Sequence, residues 1–166
     1  MSKPQKIHLF GLGFGLAMVT VALDQLSKWW VVNLIMKPPA VVEVGPFFNL
    51  VLGYNRGVSF GMFGSDSELG RWLLSALAIL IIFALIIWLF RIEKLRLACA
   101  LGLIIGGAIG NVTDRIIIGA VVDFLDFHLA SFHWPAFNVA DMGITCGAAM
   151  LIWDAIFDQK PDNTLD

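Results

Sequence analysis

Charge is what this chain has least of. Asp, Glu, Lys and Arg make up 14% of its 166 residues against 58% hydrophobic, and the mean hydropathy is +0.82. A soluble domain carries about one quarter charged residues, so the composition excludes an ordinary water-soluble globule and suits one membrane-embedded unit. The net charge of −2 comes without a Lys/Arg block, which leaves no basic face for nucleic acid. Cysteine is also scarce. The two present, Cys99 and Cys146, lie in apolar runs, are too few for a disulfide framework, and read as small apolar packing residues. H-E-x-x-H and G-x-S-x-G are missing, and His8, His128 and His133 do not stand at zinc-site spacings. Those gaps argue against metallopeptidase and serine-hydrolase chemistry. No metal or other cofactor is implied.

What the chain does have is long apolar runs. Residues 9–23 contain Thr20 as their only polar member and continue through Asp24-Gln25-Leu26-Ser27-Lys28-Trp29-Trp30. A cleaved signal peptide would show small residues at that point, so this run predicts an uncleaved membrane helix, with Asp24 and Lys28 paired at i, i+4 near its far end. Spanning helices are expected over about 9–30, 72–90, 97–113 and 137–157. In the third, Gly102-xxx-Gly106-xxx-Gly110 offers a face for close helix approach. Residues 36–71, punctuated by Gly and Pro, predict a small extramembrane β-rich platform whose Phe47, Phe48, Phe60 and Phe63 dip into lipid. Within it, Tyr54-Asn55-Arg56-Gly57 reads as a turn. The expected fold is an all-α membrane bundle of four transmembrane helices with a small extramembrane β-rich cradle, one domain over residues 1–166. Residues 113–134 read as a mixed polar and β-branched connection on the same side, with His128 and His133 as polar residues of a loop.

Four crossings return both termini to one side, together with the basic loop Arg91-Ile92-Glu93-Lys94-Leu95-Arg96. The positive-inside rule makes that side cytoplasmic. By count, six of the eleven Lys and Arg fall there and five opposite, so density near the helix ends carries the assignment. The same arithmetic gathers Asp24, Asp114, Asp123 and Asp141 at the other face, while Cys99 and Cys146 lie at different depths.

Carboxylates are costly in a membrane bundle, which makes them functional candidates. Two in a poorly hydrated site can share one proton, so that one activates a water and the other protonates a carbonyl oxygen, as in aspartic peptide hydrolysis. Spacing does not say which two pair. Asp141 begins a helix; Asp114 is followed by Arg115, whose charge would hold it ionised; Asp123 sits among Val121, Val122 and Phe124, where a raised pKa is favoured. Asp123 with Asp141 is the preferred pair. Against it stands a reading in which all four hold helix ends through caps and pairs with Lys28 and Arg115. A proton- or ion-coupled carrier would show inverted repeats or broken helices, and the two halves of the chain do not mirror each other. A non-catalytic membrane scaffold does not explain the recurring Asn-x-x-Asp pattern. A Gly-x-Gly-Asp intramembrane protease box is absent.

Five segments together carry a resemblance: Leu23-Asp24-Gln25-Leu26-Ser27-Lys28, Tyr54-Asn55-Arg56-Gly57, Gly110-Asn111-Val112-Thr113-Asp114-Arg115, Val121-Val122-Asp123-Phe124 and Phe137-Asn138-Val139-Ala140-Asp141. In order and spacing they resemble the five boxes of bacterial lipoprotein signal peptidase (signal peptidase II), over nearly the whole chain. The resemblance implies a four-helix inner-membrane aspartic endopeptidase with a periplasmic β-cradle. Such an enzyme cuts diacylglyceryl-modified prolipoproteins just before the lipidated cysteine. It implies Asp123 and Asp141 as the catalytic pair. Asn55, Gly57, Asn111, Asp114, Arg115 and Asn138 would line or support the site, and Asp24 with Lys28 would steady the first helix. The implied partners are the prolipoprotein substrate and membrane phospholipid. The expected state is a monomer with cytoplasmic termini and a site near the periplasmic leaflet. Arg56-Gly57-Val58-Ser59 departs from the Thr-Gly-Ala-Ala of many members, which bears on the 53–64 loop, read here as a lid over the site.

Overall fold

A computed structural model describes residues 3–57 and 68–157, with side chains from Ile7 onward. Phe60, Phe63 and most of the 53–64 loop lie outside the described residues. Four helices are long and apolar enough to cross a membrane: α1 (Lys3–Trp30), α2 (Glu68–Leu89), α3 (Leu95–Ile117) and α4 (Val139–Phe157). Helix α1 runs on through a π-helical segment, Val31–Ile35, beyond the expected end near residue 30. A small antiparallel sheet accompanies them, in the order β1 (Val42–Gly45), β2 (Phe48–Asn55), β3 (Val121–Leu129) and β4 (Phe132–His133).

Helix α3 is the post of the bundle. Of its most apolar stretch, 56% is buried inside the protein, against 11% for α2, so α2 presents most of its surface to lipid. The glycines explain how α3 packs on two sides at once. A Cβ on Gly102 would strike the Gly13 carbonyl of α1, and one on Gly106 would lie 2.5 Å from the Ala17 carbonyl. On the opposite side a Cβ on Gly107 would strike the Ala140 carbonyl of α4, and Gly147 of α4 lies as tightly against Ala100. The expected small-residue face therefore meets α1, and Gly107 and Gly147 form a second seam with α4. Cys99 is half-buried and Cys146 exposed on the bundle surface, both as free thiols.

Two corrections concern the segments around the site. Residues 121–129 are not an irregular connection: the run Val-Val-Asp-Phe-Leu-Asp-Phe-His-Leu is strand β3, which pairs with β2 on one side and β4 on the other. His128 and His133 are accordingly cross-strand partners with stacked rings, 5.0 Å between centroids. Nor is Tyr54-Asn55-Arg56-Gly57 a turn throughout. Tyr54 and Asn55 close β2, opposite Val122 and Val121, and the chain bends at Gly57, φ +87°. A register shift between Leu50 and Gly53 twists β2 locally, as a bulge does. Of the platform aromatics, Phe47 is exposed, whereas Phe48 packs on Phe127 with centroids 5.0 Å apart.

Candidate active site

The geometry of the site follows from how α3 ends and α4 begins. Helix α3 continues one turn past its expected end, and the Ile118 and Gly119 amides both donate to the Asp114 carbonyl (2.7 and 3.2 Å). Gly119 takes φ +89°, the left-handed conformation that glycine supplies at a helix C-terminus. The chain thereby turns straight into β3. Past the β3–β4 hairpin it comes back against β3, where Phe137 donates to the Leu125 carbonyl (3.1 Å) and accepts from the Leu125 amide (2.9 Å). Asn138 follows as the cap of α4. Its side-chain oxygen accepts from the Asp141 amide (3.0 Å), and Asp141 Oδ2 accepts from the Asn138 amide (3.3 Å). This is a reciprocal capping box written with Asn and Asp.

The same Asn138 joins the two carboxylates. Fully buried, its amide nitrogen donates to Asp123 Oδ1 at 2.7 Å, while its backbone holds Asp141. The other oxygen of Asp141, Oδ1, accepts from Asn111 Nδ2 of α3 at 2.8 Å. Asn55, at the end of β2, lies close enough to Asp123 to favour its ionised form, and its own oxygen accepts from the Gly57 amide at 2.9 Å. Burial, the largest influence, pushes the Asp123 carboxyl above its ordinary range. The Asp141 charge pushes the same way, and Asn55, Asn138 and Lys28 pull it back. The apolar flanks of Asp123 lead to that direction from sequence, and the fold adds the neighbouring carboxylate.

Behind this pair lies an ionic cluster. Lys28 Nζ is 2.8 Å from Asp24 Oδ2, the expected i, i+4 partner, and 2.8 Å from Asp114 Oδ2, and all three side chains are buried. The ionic partner of Asp114 is thus Lys28, a helix away, and not the adjacent Arg115. Arg115 instead reaches out beside Gly57, its charge acting on Asp141, Asp114 and Asp123 together. Its Nε is buried with no hydrogen-bond partner among the described residues. All ten residues singled out from sequence fall in this one region. Gln25 does as well, although its type and place in the first box gave no separate signal. Its amide bridges Asp24 Oδ2 (3.1 Å) and Asp114 Oδ1 (2.9 Å).

Paired carboxylates at the mouth of a four-helix membrane bundle, bonded through asparagines and backed by a buried ion cluster, suit a membrane-embedded aspartic hydrolase. Residues 16–157 match the family model described as signal peptidase (SPase) II. The chain is 43% identical over 150 residues to a lipoprotein signal peptidase of Beijerinckia indica, covering 90% of each. It is 46% identical over 153 residues to one of Ralstonia nicotianae, covering 90% of this chain and 86% of the other. A bacterial membrane enzyme solved by the in meso method at 1.9 Å resolution superposes with a TM-score of 0.79 at 29% identity, over 90% of this chain and 95% of that one. The chain belongs to the signal peptidase II family.

Proposed function

We propose that the protein removes the signal peptide from diacylglyceryl-modified prolipoproteins, cutting on the N-terminal side of the lipidated cysteine, with Asp123 and Asp141 as the catalytic dyad. The observation that carries this reading is the single residue Asn138, bonded to both carboxylates at once. It holds them in one frame while their mutual repulsion favours a shared proton. In the reaction one carboxylate takes a proton from water, which attacks the scissile carbonyl carbon. The other donates its proton to the carbonyl oxygen, and the tetrahedral intermediate then collapses with protonation of the leaving amine. Arg115, whose buried Nε–H has no partner among the described residues, and Asn55 stand where a substrate backbone needs donors. Gly57 keeps the approach open. An acyl chain in the bilayer fixes the depth of the scissile bond, so anchoring supplies much of the proximity.

The membrane is the bacterial inner membrane, with both termini cytoplasmic and the dyad near the periplasmic leaflet. The Arg91–Arg96 loop, opposite the dyad, supports this orientation. The enzyme works as a monomer with phospholipid around it. Neither a carrier nor a scaffold draws support from the family match.

Cleavage of a diacylglyceryl-modified prolipoprotein by purified wild type, Asp123→Asn, Asp141→Asn and Asp114→Asn tests the reading. Loss by several decades at positions 123 and 141 is expected, in variants that remain folded, with a smaller loss at 114. Wild-type turnover in Asp123→Asn would refute the dyad assignment.

A further inference from the structure

We propose that Lys28 is a positioning residue for this hydrolysis, locking two carboxylates that each fix the backbone amide immediately preceding one member of the dyad. The inference rests on Asp123 and Asp141 being that dyad. Asp24, held by Lys28 through Oδ2, uses its other oxygen to accept from the Ala140 amide at 2.9 Å, one residue before Asp141. Asp114, also held by Lys28, accepts from the Val122 amide at 3.0 Å, one residue before Asp123. The two arms are alike: ammonium, carboxylate, backbone N–H, catalytic residue. A third arm runs from Lys28 Nζ to Asn111 Oδ1 (3.4 Å), whose Nδ2 meets the Asp141 carboxylate. Lys28 thus meets all three arms, by hydrogen bonds to Asp24 and Asn111 and by an ion pair to Asp114. Gln25 ties the two carboxylates together from the side and reaches the Gly110 carbonyl at 3.3 Å. Gly110 has to be glycine for this, because a Cβ there would lie 2.5 Å from Asp24 Oδ2.

The cluster is also placed to set the dyad's protonation. Among the described residues, the charged groups placed around Asp123 and Asp141 include Asp24 and Lys28 from α1 and Asp114 and Arg115 from α3; β2 contributes the neutral Asn55. Arg71 of α2 reaches Gly119 and lies 3.7 Å from Glu68. Two anions and two cations balance among these groups. Lys28 pulls the Asp123 carboxyl down, so removing it moves Asp123 to higher pKa; neutralising Asp114 removes an anion and moves it the other way. Geometry and charge can therefore be separated.

The experiment is kcat and KM against pH for the full chain on a diacylglyceryl-modified prolipoprotein. Lys28→Met is expected to lower kcat about a hundredfold, with KM within about threefold, since misplacement of the reacting groups by about 1 Å costs that much. Its pH profile moves to higher pH. Asp114→Asn keeps an oxygen for the Val122 amide and moves the profile to lower pH. Lys28→Arg alters the geometry but keeps the charge, so kcat falls while the profile stays. A loss of kcat with an unmoved profile in both Lys28→Met and Asp114→Asn would overturn the proposal in favour of simple loss of folded enzyme. So would wild-type kcat in Lys28→Met. If Lys28→Met does not fold, Asp114→Asn and Lys28→Arg decide by the same signs. Turnover surviving in Asp123→Asn or Asp141→Asn would be failure of the dyad reading instead, which these profiles do not touch.

Discussion

Asn138 does two separable jobs, and a pair of substitutions pulls them apart. Its Oδ1 caps α4 by accepting from the Asp141 amide, and its Nδ2 donates to Asp123. Serine at this position keeps an oxygen for the cap but loses the amide donor; alanine loses both. A cap is worth about 1 kcal/mol, and a hydrogen bond to a charged partner about 1.5–3 kcal/mol. Asn138→Ala is therefore expected to lose about 2.5–4 kcal/mol of stability, and Asn138→Ser about 1 kcal/mol less. Turnover follows a different rule. If the Asp123 contact is made fully in the transition state, its loss lowers kcat by about ten- to a hundredfold, equally in both variants. Because Asn138 pulls the Asp123 carboxyl down against burial, both variants should also act optimally at a higher pH than wild type. The assay is peptide cleavage against pH, alongside thermal unfolding of the detergent-solubilised chain. Near-wild-type turnover in Asn138→Ser would refute the reasoning, since the cap alone would then be what the site needs. Equal stability of the serine and alanine variants would remove the cap from the account.

Three further outcomes follow from the same structure. Gly107→Ala places a methyl against the Ala140 carbonyl and 2.8 Å from Ile144 Cγ1, next to Asp141. It should cost about 1–3 kcal/mol by overpacking and lower turnover, whereas Gly11→Ala, with nothing within 4 Å, should be neutral or stabilising in parallel melts. Asp123, raised above the ordinary aspartate range chiefly by burial, binds protons more tightly folded than unfolded, so its contribution is fully present below the unfolded pKa and lost as pH rises through the folded one. Asp123→Asn should consequently gain stability relative to wild type over that rise, and a constant difference across the pH series would contradict the assignment. Asp126 shifts the opposite way, lowered chiefly by its 2.9 Å contact with His133, so its contribution is present above the unfolded pKa and lost as pH falls through the folded one. Removing that partner in His133→Ala should make acid unfolding begin at higher pH, which circular dichroism in an acid titration reads directly.

The helices were legible in the sequence because long apolar runs have few other uses. The site was legible in outline because carboxylates in such a chain stand out singly. What the sequence concealed was connectivity at close range. Asp114 next to Arg115 suggests a local pair, yet i and i+1 residues point to different sides of a helix, and the side chain that meets Asp114 comes from α1. The strand at residues 121–129 is hard to read from sequence because it does not alternate: Val121 to Phe124 are all buried, Phe124 against Val31 and Met36. Its β-branched and aromatic residues between Gly119-Ala120 and Ala130-Ser131 were the available signal. That strand matters most, since its pairing with Phe137 and its bonds to Asn138 bring the start of α4 beside Asp123.

The buried charges raise the question of what keeps them. Replacing a buried ion cluster by well-packed apolar side chains commonly leaves a protein as stable or more so, and a charge within a membrane helix costs about 2.5–3.5 kcal/mol on insertion scales. Stability alone would favour leucines at Asp24, Lys28 and Asp114. Yet Gly110 is cut back to make room for Asp24, and Gln25 is committed to bridging the two acids. Neither sacrifice improves apolar packing. What both preserve is a set of hydrogen bonds ending on the amides of Ala140 and Val122, one step along the chain from Asp141 and Asp123. A leucine cannot accept those hydrogen bonds, and a solvent water would hold them loosely. Ion pairs, anchored from a third helix, fix the segment before each carboxylate, which is the condition for a dyad whose members come from a strand and a helix.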